Sequence, residues 1–368
     1  MTILILNWRD IKNPSGGGAE ILTHEIARQW VRAGNSVIQI SSSFANAKPD
    51  EILDGVRFIR RGTWWNVHFF ACYYYLRYLR RDVDIVIDEV HWFPFFSILY
   101  APNKTIAFVC EVADRLFFTI FPYPVALFWR ILEKMYLFIY RNAPAMVISQ
   151  STRDALVKEG HNHTNIIILP MGLTLPPKIK LLTKEKNPTL IYVARLNQQK
   201  GIFDVIKAFS LIHEKLPTSV LWVVGSGNQE IIKQLNRLTI RENIINSVNF
   251  YGFVNEAKKF ELLSKAHLLI SASVQEGWGL TVPEAGITKT PSVVYNTNGF
   301  CDIIEHNKNG LLVEHSPVAL KNGVLSLLSD NSKYKRFQLA IYVKAKKYSW
   351  DNTASVSLKF LKQHIGER

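Results

Sequence analysis

Short apolar, β-branched runs alternate along this chain with stretches whose apolar residues recur every three or four positions, and the alternation begins a second time past the middle. In the first half, residues 2–6, 36–41, 85–88, 105–109, 145–149 and 166–169 predict strands, and 19–33, 67–81, 123–141 and 152–160 predict helices. In the second half the strands are 189–193, 219–224, 248–251, 268–271 and 291–295, with helices at 202–215, 229–239, 256–264 and 282–288. Later segments at 317–328, 333–347 and 352–365 have helical period. A strand followed by a helix, repeated, predicts parallel sheets covered by helices on both faces, hence an α/β chain of two Rossmann-like, doubly wound domains. Between the two series, Pro176, Pro177, Pro188 and a cluster of lysines suit an exposed linker. The expected layout is a first domain at 1–172, a linker at 173–188, a second domain at 189–350 and a C-terminal helix at 351–368, for which the first domain is the candidate partner. Two such domains facing each other leave a central cleft between the carboxyl ends of both sheets.

Length and composition agree with two packed cores, since 368 residues and 48% hydrophobic content exceed one small module and exclude a disordered chain. Three widely spaced cysteines make a disulfide framework or a Cys-based zinc site a poor reading, and a reducing compartment fits. The formal charge is +14, with 20 basic and 15 acidic side chains in residues 1–180 and 24 and 15 in the remainder. That surplus favours a polyanion or phosphorylated ligand. Without a basic tail or a recognition-helix or zinc-finger spacing, nucleic acid is not the expected partner. Three charge-free apolar windows, 62–76, 90–103 and 116–129, fall short of the roughly 18–20 residues that span a bilayer. The N-terminus reaches Arg9 and Asp10 too early for a secretory signal, so a cytoplasmic location is expected.

Three loops carry candidate chemistry. Asn13-Pro-Ser-Gly-Gly-Gly-Ala-Glu20 follows the first strand and opens a helix, so its glycines can bring backbone N–H groups close to an anion, though without the dinucleotide G-x-G-x-x-G spacing. Arg195 and Lys200, after the first strand of the second series, can clamp a diphosphate. In Ser271–Glu284, a strand runs through Glu276-Gly277-Trp278-Gly279-Leu280-Thr281 into a helix carrying Glu284. Both carboxylates can accept hydrogen bonds from ligand hydroxyls, and the amides from Gly277 to Thr281 can hold phosphate.

The run Glu276-x7-Glu284 in Glu-Gly-Trp-Gly-Leu-x3-Glu-Ala, preceded by Ala-Arg195-x4-Lys200-Gly201 and Gly225-Ser-Gly227, and followed by Asn298-Gly299-Phe-Cys-Asp302 and Asn309-Gly310-Leu-Leu, resembles glycosyltransferase family 4. The opening Gly-Gly-Gly-Ala-Glu and the Ser149-x-Ser151-Thr-Arg-Asp stretch extend the resemblance over nearly the whole chain. It implies a GT-B fold and a retaining glycosyltransferase that moves a sugar from a nucleotide-diphosphate sugar to an acceptor hydroxyl, with no essential metal and no cofactor. It also implies the roles. Arg195 and Lys200 grip the diphosphate, Glu284 takes the ribose hydroxyls, and Glu276 with the following amides holds the transferred sugar. Gly17 and Gly18 let the first domain close over the donor. Asp302 stands where Glu is usual.

A larger departure lies after strand 105–109, where many members place a His on the transferred sugar and this chain has Cys110, with His91, Glu111 and Asp114 as candidate substitutes. Retention by same-face attack, with the leaving phosphate accepting the proton, needs no protein nucleophile. His161 and His163 form a conceivable metal pair but read as a solvated turn. The arginine groups at 57, 60, 61 and at 77, 80, 81 bracket an aromatic window at 63–75, and 117–140 is similarly aromatic. That combination suits an anionic membrane surface, and with it a lipid-linked or cell-surface glycan precursor of polysaccharide biosynthesis as acceptor. The rival readings are a GT-B phosphorylase, a nucleotide-sugar epimerase, and a non-catalytic nucleotide-binding module.

Overall fold

The computed structural model describes residues 1–90, 93–176 and 179–366. By internal contacts the chain forms two units: Met1–Gly172 together with the residues from Ser349 on, and Leu173–Tyr348. Unit 1 contains β1 (Thr2–Leu6), β2 (Ser36–Ser41), β3 (Asp50–Leu53), β4 (Val56–Arg60), β5 (Ile85–Val90), β6 (Thr105–Val109), β7 (Ala145–Val147) and β8 (Ile166–Ile168). Their order across the sheet is β3-β4-β2-β1-β5-β6-β7-β8, parallel except for β3 against β4. Strands buried on both faces, such as Thr-Ile-Leu-Ile-Leu in β1, need no polar alternation. Unit 2 contains β9 (Thr189–Val193), β10 (Val220–Val224), β11 (Val248–Gly252), β12 (Leu268–Ser271), β13 (Ser292–Tyr295) and β14 (Leu311–Val313), all parallel in the order β11-β10-β9-β12-β13-β14.

In each sheet the winding reverses beside the first strand, between β1 and β5 in unit 1 and between β9 and β12 in unit 2. Loops leaving the carboxyl ends there diverge and open a crevice, the place where doubly wound sheets bind ligands.

Several expectations change. The hairpin β3–β4 and the edge strand β14 are additional to the predicted strands; Asp54 and Gly55 turn the hairpin with φ of 51° and 82°. The stretch read as an exposed linker is laid along unit 2. Leu182 N–H donates to Ser264 Oγ at 2.7 Å, Glu185 N–H to the Lys265 carbonyl at 3.0 Å, and the buried Lys184 ammonium to the Ala266 carbonyl and Thr290 Oγ1, both at 2.7 Å. Pro177 and Lys178 lie outside the described residues. The expected helix 67–81 is helical over Val67–Tyr74 and then widens into a π turn at Tyr75–Leu79. Its buried residues, Val67, Ala71, Tyr75 and Leu79, recur every four positions, a stripe that drifts by about 40° per step in a regular α-helix. The wider turn keeps the stripe on the core.

The C-terminal helix, Trp350–Gly366, packs within unit 1 on helix Gly18–Arg32, where Trp30 Nε1 donates to Ser357 Oγ at 2.9 Å. Thr353 Oγ1 donates to the Pro170 carbonyl. Gly172 lies so close to the Trp350 ring that a Cβ there would stand 2.3 Å from it.

Candidate active site

In unit 2 the crevice between β9 and β12 gathers most of the residues singled out by sequence. Gly201 takes φ of +70°, and a Cβ on it would stand 1.9 Å from the Ala272 carbonyl oxygen, so a glycine is required for the Arg195–Lys200 loop to lie against the end of β12. That contact brings Lys200 Nζ to 2.8 Å from Glu276 Oε1, both side chains partly open to solvent. Arg195 is exposed on the same loop. Gly299, with φ of +83°, performs the same service on the other side of Glu276: a Cβ there would meet the Glu276 carbonyl oxygen at 2.6 Å. Its N–H is capped by Asp302 Oδ2 at 3.2 Å.

Glu284, in the short helix Thr281–Ile287, accepts from Lys259 Nζ at 2.9 Å, and Lys259 also pairs with Glu256 at 2.9 Å. Burial raises the Glu284 carboxyl above its ordinary value against the pull of Lys259. Burial lowers Lys259 in turn, but Glu284 and Glu256 outweigh it and hold the ammonium above its usual range. Lys259 is absent from the sequence reading because its helix looks like an ordinary amphipathic one. The Trp278 ring is buried edge-on against Tyr348, centroids 5.0 Å apart, so Gly277, Trp278, Gly279, Leu280 and Thr281 offer backbone rather than an indole.

In unit 1 the glycine loop leads into helix Gly18–Arg32 with Gly17 at its N-cap. Gly17 N–H donates to Glu20 Oε2 at 2.5 Å, and Glu20 Oε1 pairs with Arg9 Nε at 2.7 Å. Cys110 is buried at the end of β6, and burial, with Glu89 next, pushes its thiol well above the usual value; that is packing chemistry, not a nucleophile. His91 lies outside the described residues. Glu111 is half-buried, and Asp114, at φ of +41°, is tied down by Arg130 at 2.8 Å. Glu133 accepts the N–H groups of Ala113 and Asp114 at 2.7 and 2.9 Å, while Arg130 also pairs with Glu133 and Glu159. Arg130 and Glu133, unpredicted from sequence, thus hold the loop bearing Glu111 and Asp114. Among the described residues no three His, Cys, Asp or Glu side chains gather as a metal site. His161 corrects the solvated-turn reading: it is buried, and burial lowers its pKa against the opposing pull of the Leu156 backbone and Glu159, whereas His163 is exposed.

Two family models meet end to end on this chain: "Glycosyltransferase Family 4" over residues 16–175 and "Glycosyl transferases group 1" over 178–343. The chain belongs to glycosyltransferase family 4. These are transferase enzymes, and the two parallel-sheet units are those of the GT-B fold. An uncharacterized glycosyltransferase of Methanocaldococcus jannaschii is 29% identical over 247 residues, which is 62% of this chain and 62% of that relative. The match therefore spans about three fifths of the relative's length. Among solved structures, the sucrose-phosphate synthase of Thermosynechococcus elongatus superposes with a TM-score of 0.80 at 17% identity, covering 100% of both chains. Anabaena HepE in complex with UDP-glucose does so with a TM-score of 0.74 at 16% identity, covering 99% of this chain and 100% of that one.

Proposed function

We propose that this family 4 glycosyltransferase moves a hexose from a UDP-sugar to an acceptor hydroxyl with retention of anomeric configuration. The carrying observation is the Lys200–Glu276 pair at 2.8 Å, with Arg195 exposed on the same loop as Lys200. A donor diphosphate takes Lys200 over from Glu276 as it binds, and the freed carboxylate then accepts from hydroxyls of the sugar. Glu284 accepts from the ribose hydroxyls. The bond from the anomeric carbon to the diphosphate oxygen breaks, the acceptor oxygen bonds that carbon on the same face, and its proton passes to the leaving phosphate. The binding of UDP-glucose by the structurally similar HepE supports the choice of donor. Incubation with labelled UDP-glucose and a lipid extract tests the reading. Expected is a labelled glycoside of retained configuration, formed equally in the presence of a chelator. A sugar phosphate formed with inorganic phosphate indicates a phosphorylase, an isomerised sugar still on its nucleotide an epimerase, and no product a binding module.

The acceptor reading is a lipid-linked one, reached at an anionic membrane surface. Its support is a helix whose polarity is inverted. In Tyr123–Tyr140 the inward positions are Ala126, Arg130, Glu133, Leu137 and Tyr140, while Phe128, Ile131, Met135 and Phe138 face solvent, Phe128 at 59% exposure. Trp64, Trp65, Phe69, Tyr73 and Tyr78 are exposed as well, Phe69 at 75%, with Arg77, Arg80 and Arg81 exposed beside them. Arg60 does not belong to this surface; it is buried, paired with Asp10 at 2.6 Å and Glu51 at 2.9 Å. No described helix is long and apolar enough to cross a membrane. Rings flanked by arginines suit the interface of an anionic leaflet. The chain is expected to co-sediment with phosphatidylglycerol vesicles at low salt, and Arg77, Arg80 and Arg81 changed together to Ser should weaken this by about 1 kcal/mol per charge. No sedimentation at low salt would make a soluble acceptor the better reading.

A further inference from the structure

One deeply buried acid at the carboxyl end of the unit 1 sheet has no part in the transfer chemistry above. Glu89 is the fifth residue of β5 and lies at the β1–β5 crevice. Its side chain is buried, and Oε2 accepts from Asn7 Nδ2 at 2.5 Å and from Thr23 Oγ1 at 2.7 Å. Asn7 directly follows β1 and accepts the Arg9 N–H at its Oδ1, 3.1 Å away; Thr23 stands on the helix that the glycine loop opens. One carboxyl group therefore joins the three elements around the loop. Its other oxygen, Oε1, is buried with no partner among the described residues. The charged and titratable groups around it are Arg9 and Glu20 on the loop side and Cys110 from the end of β6. Arg9 is already matched by Glu20, so among the described residues an ionised Glu89 would be a second, uncompensated negative charge with one oxygen unpaired, buried beneath the loop.

Resting on the proposed transfer reaction, we propose that Glu89 is a positioning residue held as a neutral acid: it fixes the glycine loop between β1 and the helix and keeps the crevice of unit 1 free of unpaired negative charge. Burial, with the nearby Glu20, raises its pKa to about 8, so the proton is present at neutral pH and lost just above it.

The test is a pH series on the full chain. Transfer from UDP-glucose by the wild type should fall above about pH 8, approaching tenfold per pH unit, whereas Glu89→Gln, neutral at every pH, should retain that activity on the alkaline side. Glu89→Leu, which removes both hydrogen bonds, should lose activity at all pH values. The second readout is independent of any reaction: between pH 4.5 and 8 the native state keeps a proton that the unfolded chain gives up, so the wild-type denaturation midpoint should decline across this window relative to Glu89→Gln. If the two midpoints run parallel from pH 4.5 to 8, or if Cys110→Ser rather than Glu89→Gln removes the alkaline fall in transfer, the proposal is overturned. If the midpoints diverge as expected but no sugar nucleotide is turned over at any pH, Glu89 is the neutral acid and it is the transferase reading that fails.

Discussion

The two crevices are topological equivalents with opposite chemistry. In unit 2 the carboxylates are paired to lysines, Glu276 with Lys200 in a part-open pair and Glu284 with Lys259 in a more deeply buried one. In unit 1 the Glu89 carboxyl is buried, hydrogen-bonded to neutral groups and, among the described residues, without a cation of its own. A paired, part-open carboxylate can exchange its cation for a ligand's phosphate at little cost, because water screens the separated charges. A buried acid cannot ionise and recombine so cheaply. The same fold thus supplies one surface suited to exchanging charge with a donor and another suited to holding its shape.

The largest effect that sharpens this contrast is a pH response of opposite sign away from either crevice. Unit 2 buries a lysine where unit 1 buries a glutamate. Burial lowers Lys184 from 10.5 to about 7, with His267 nearby and no carboxylate paired to it among the described residues. Between those values the unfolded chain binds a proton that the native state does not, so this group makes stability rise with pH from about 7 to about 10.5 and contributes no slope below 7. The slope can reach about 1.4 kcal/mol per pH unit. Lys184→Met should abolish it and leave the protein more stable than wild type at pH 6, as read from urea midpoints. A variant whose midpoints track the wild type from pH 7 to 10 would show that the ammonium is not desolvated and that the segment before β9 is not packed as described.

Second in size is the exchange itself. Lys200→Ala should weaken UDP-glucose binding by about 1.5–3 kcal/mol, the range for a lost hydrogen bond to a charged group, while shifting stability by less than about 1 kcal/mol because the Glu276 pair is part-exposed. Calorimetry on the variant and on the Lys200→Ala, Glu276→Gln double variant measures both. Unchanged affinity in Lys200→Ala would break the comparison, since the unit 2 crevice would then not be the donor seat.

Much of this is legible in the sequence. Short, continuously apolar runs followed by stretches of 3.6 period place most strands and helices within a residue or two, because central parallel strands are buried on both faces and their helices are amphipathic. The loop from Ser271 to Glu284 is legible because Glu276, Gly277 and Gly279 interrupt the apolar run of the strand and Pro283 and Glu284 open a helix. What escaped had local reasons. The β3–β4 hairpin carries the Asp54-Gly55 turn signal, but its polar strand Asp-Glu-Ile-Leu is too short to show a period. Lys259, Arg130 and Glu133 sit on helices in which a charged residue every few positions looks like solvated surface, and only packing shows them turned inward. Glu89 is hidden in Ile-Val-Ile-Asp-Glu-Val, where Asp88 and Glu89 look alike. On the fold Asp88 accepts from the N–H groups of Phe95 and Ser97, both at 2.9 Å, from the Ser97 hydroxyl at 2.7 Å and from Tyr140, whereas Glu89 turns to the other side of the sheet with one oxygen unpaired among the described residues.

The smallest effect separates the two glutamates of unit 2, and their different partners set its sign. Glu284 is assigned to the ribose, which free UDP carries as fully as the sugar donor does, so Glu284→Gln should weaken both by about 1 kcal/mol, roughly fivefold, as a charge-assisted bond becomes a neutral one. Glu276 is assigned to the sugar, which UDP lacks. In the free protein its carboxylate occupies Lys200, and the diphosphate must displace it. Glu276→Gln removes that competition, so UDP should bind as well as to wild type or slightly better, by no more than about 1 kcal/mol, even as sugar transfer declines. Calorimetric titration of UDP into both variants reads the two signs directly. A loss of UDP affinity in Glu276→Gln equal to that in Glu284→Gln would mean that both carboxylates serve the nucleotide, and the pair at 2.8 Å would then be a fixed element of the site rather than one that opens for the donor.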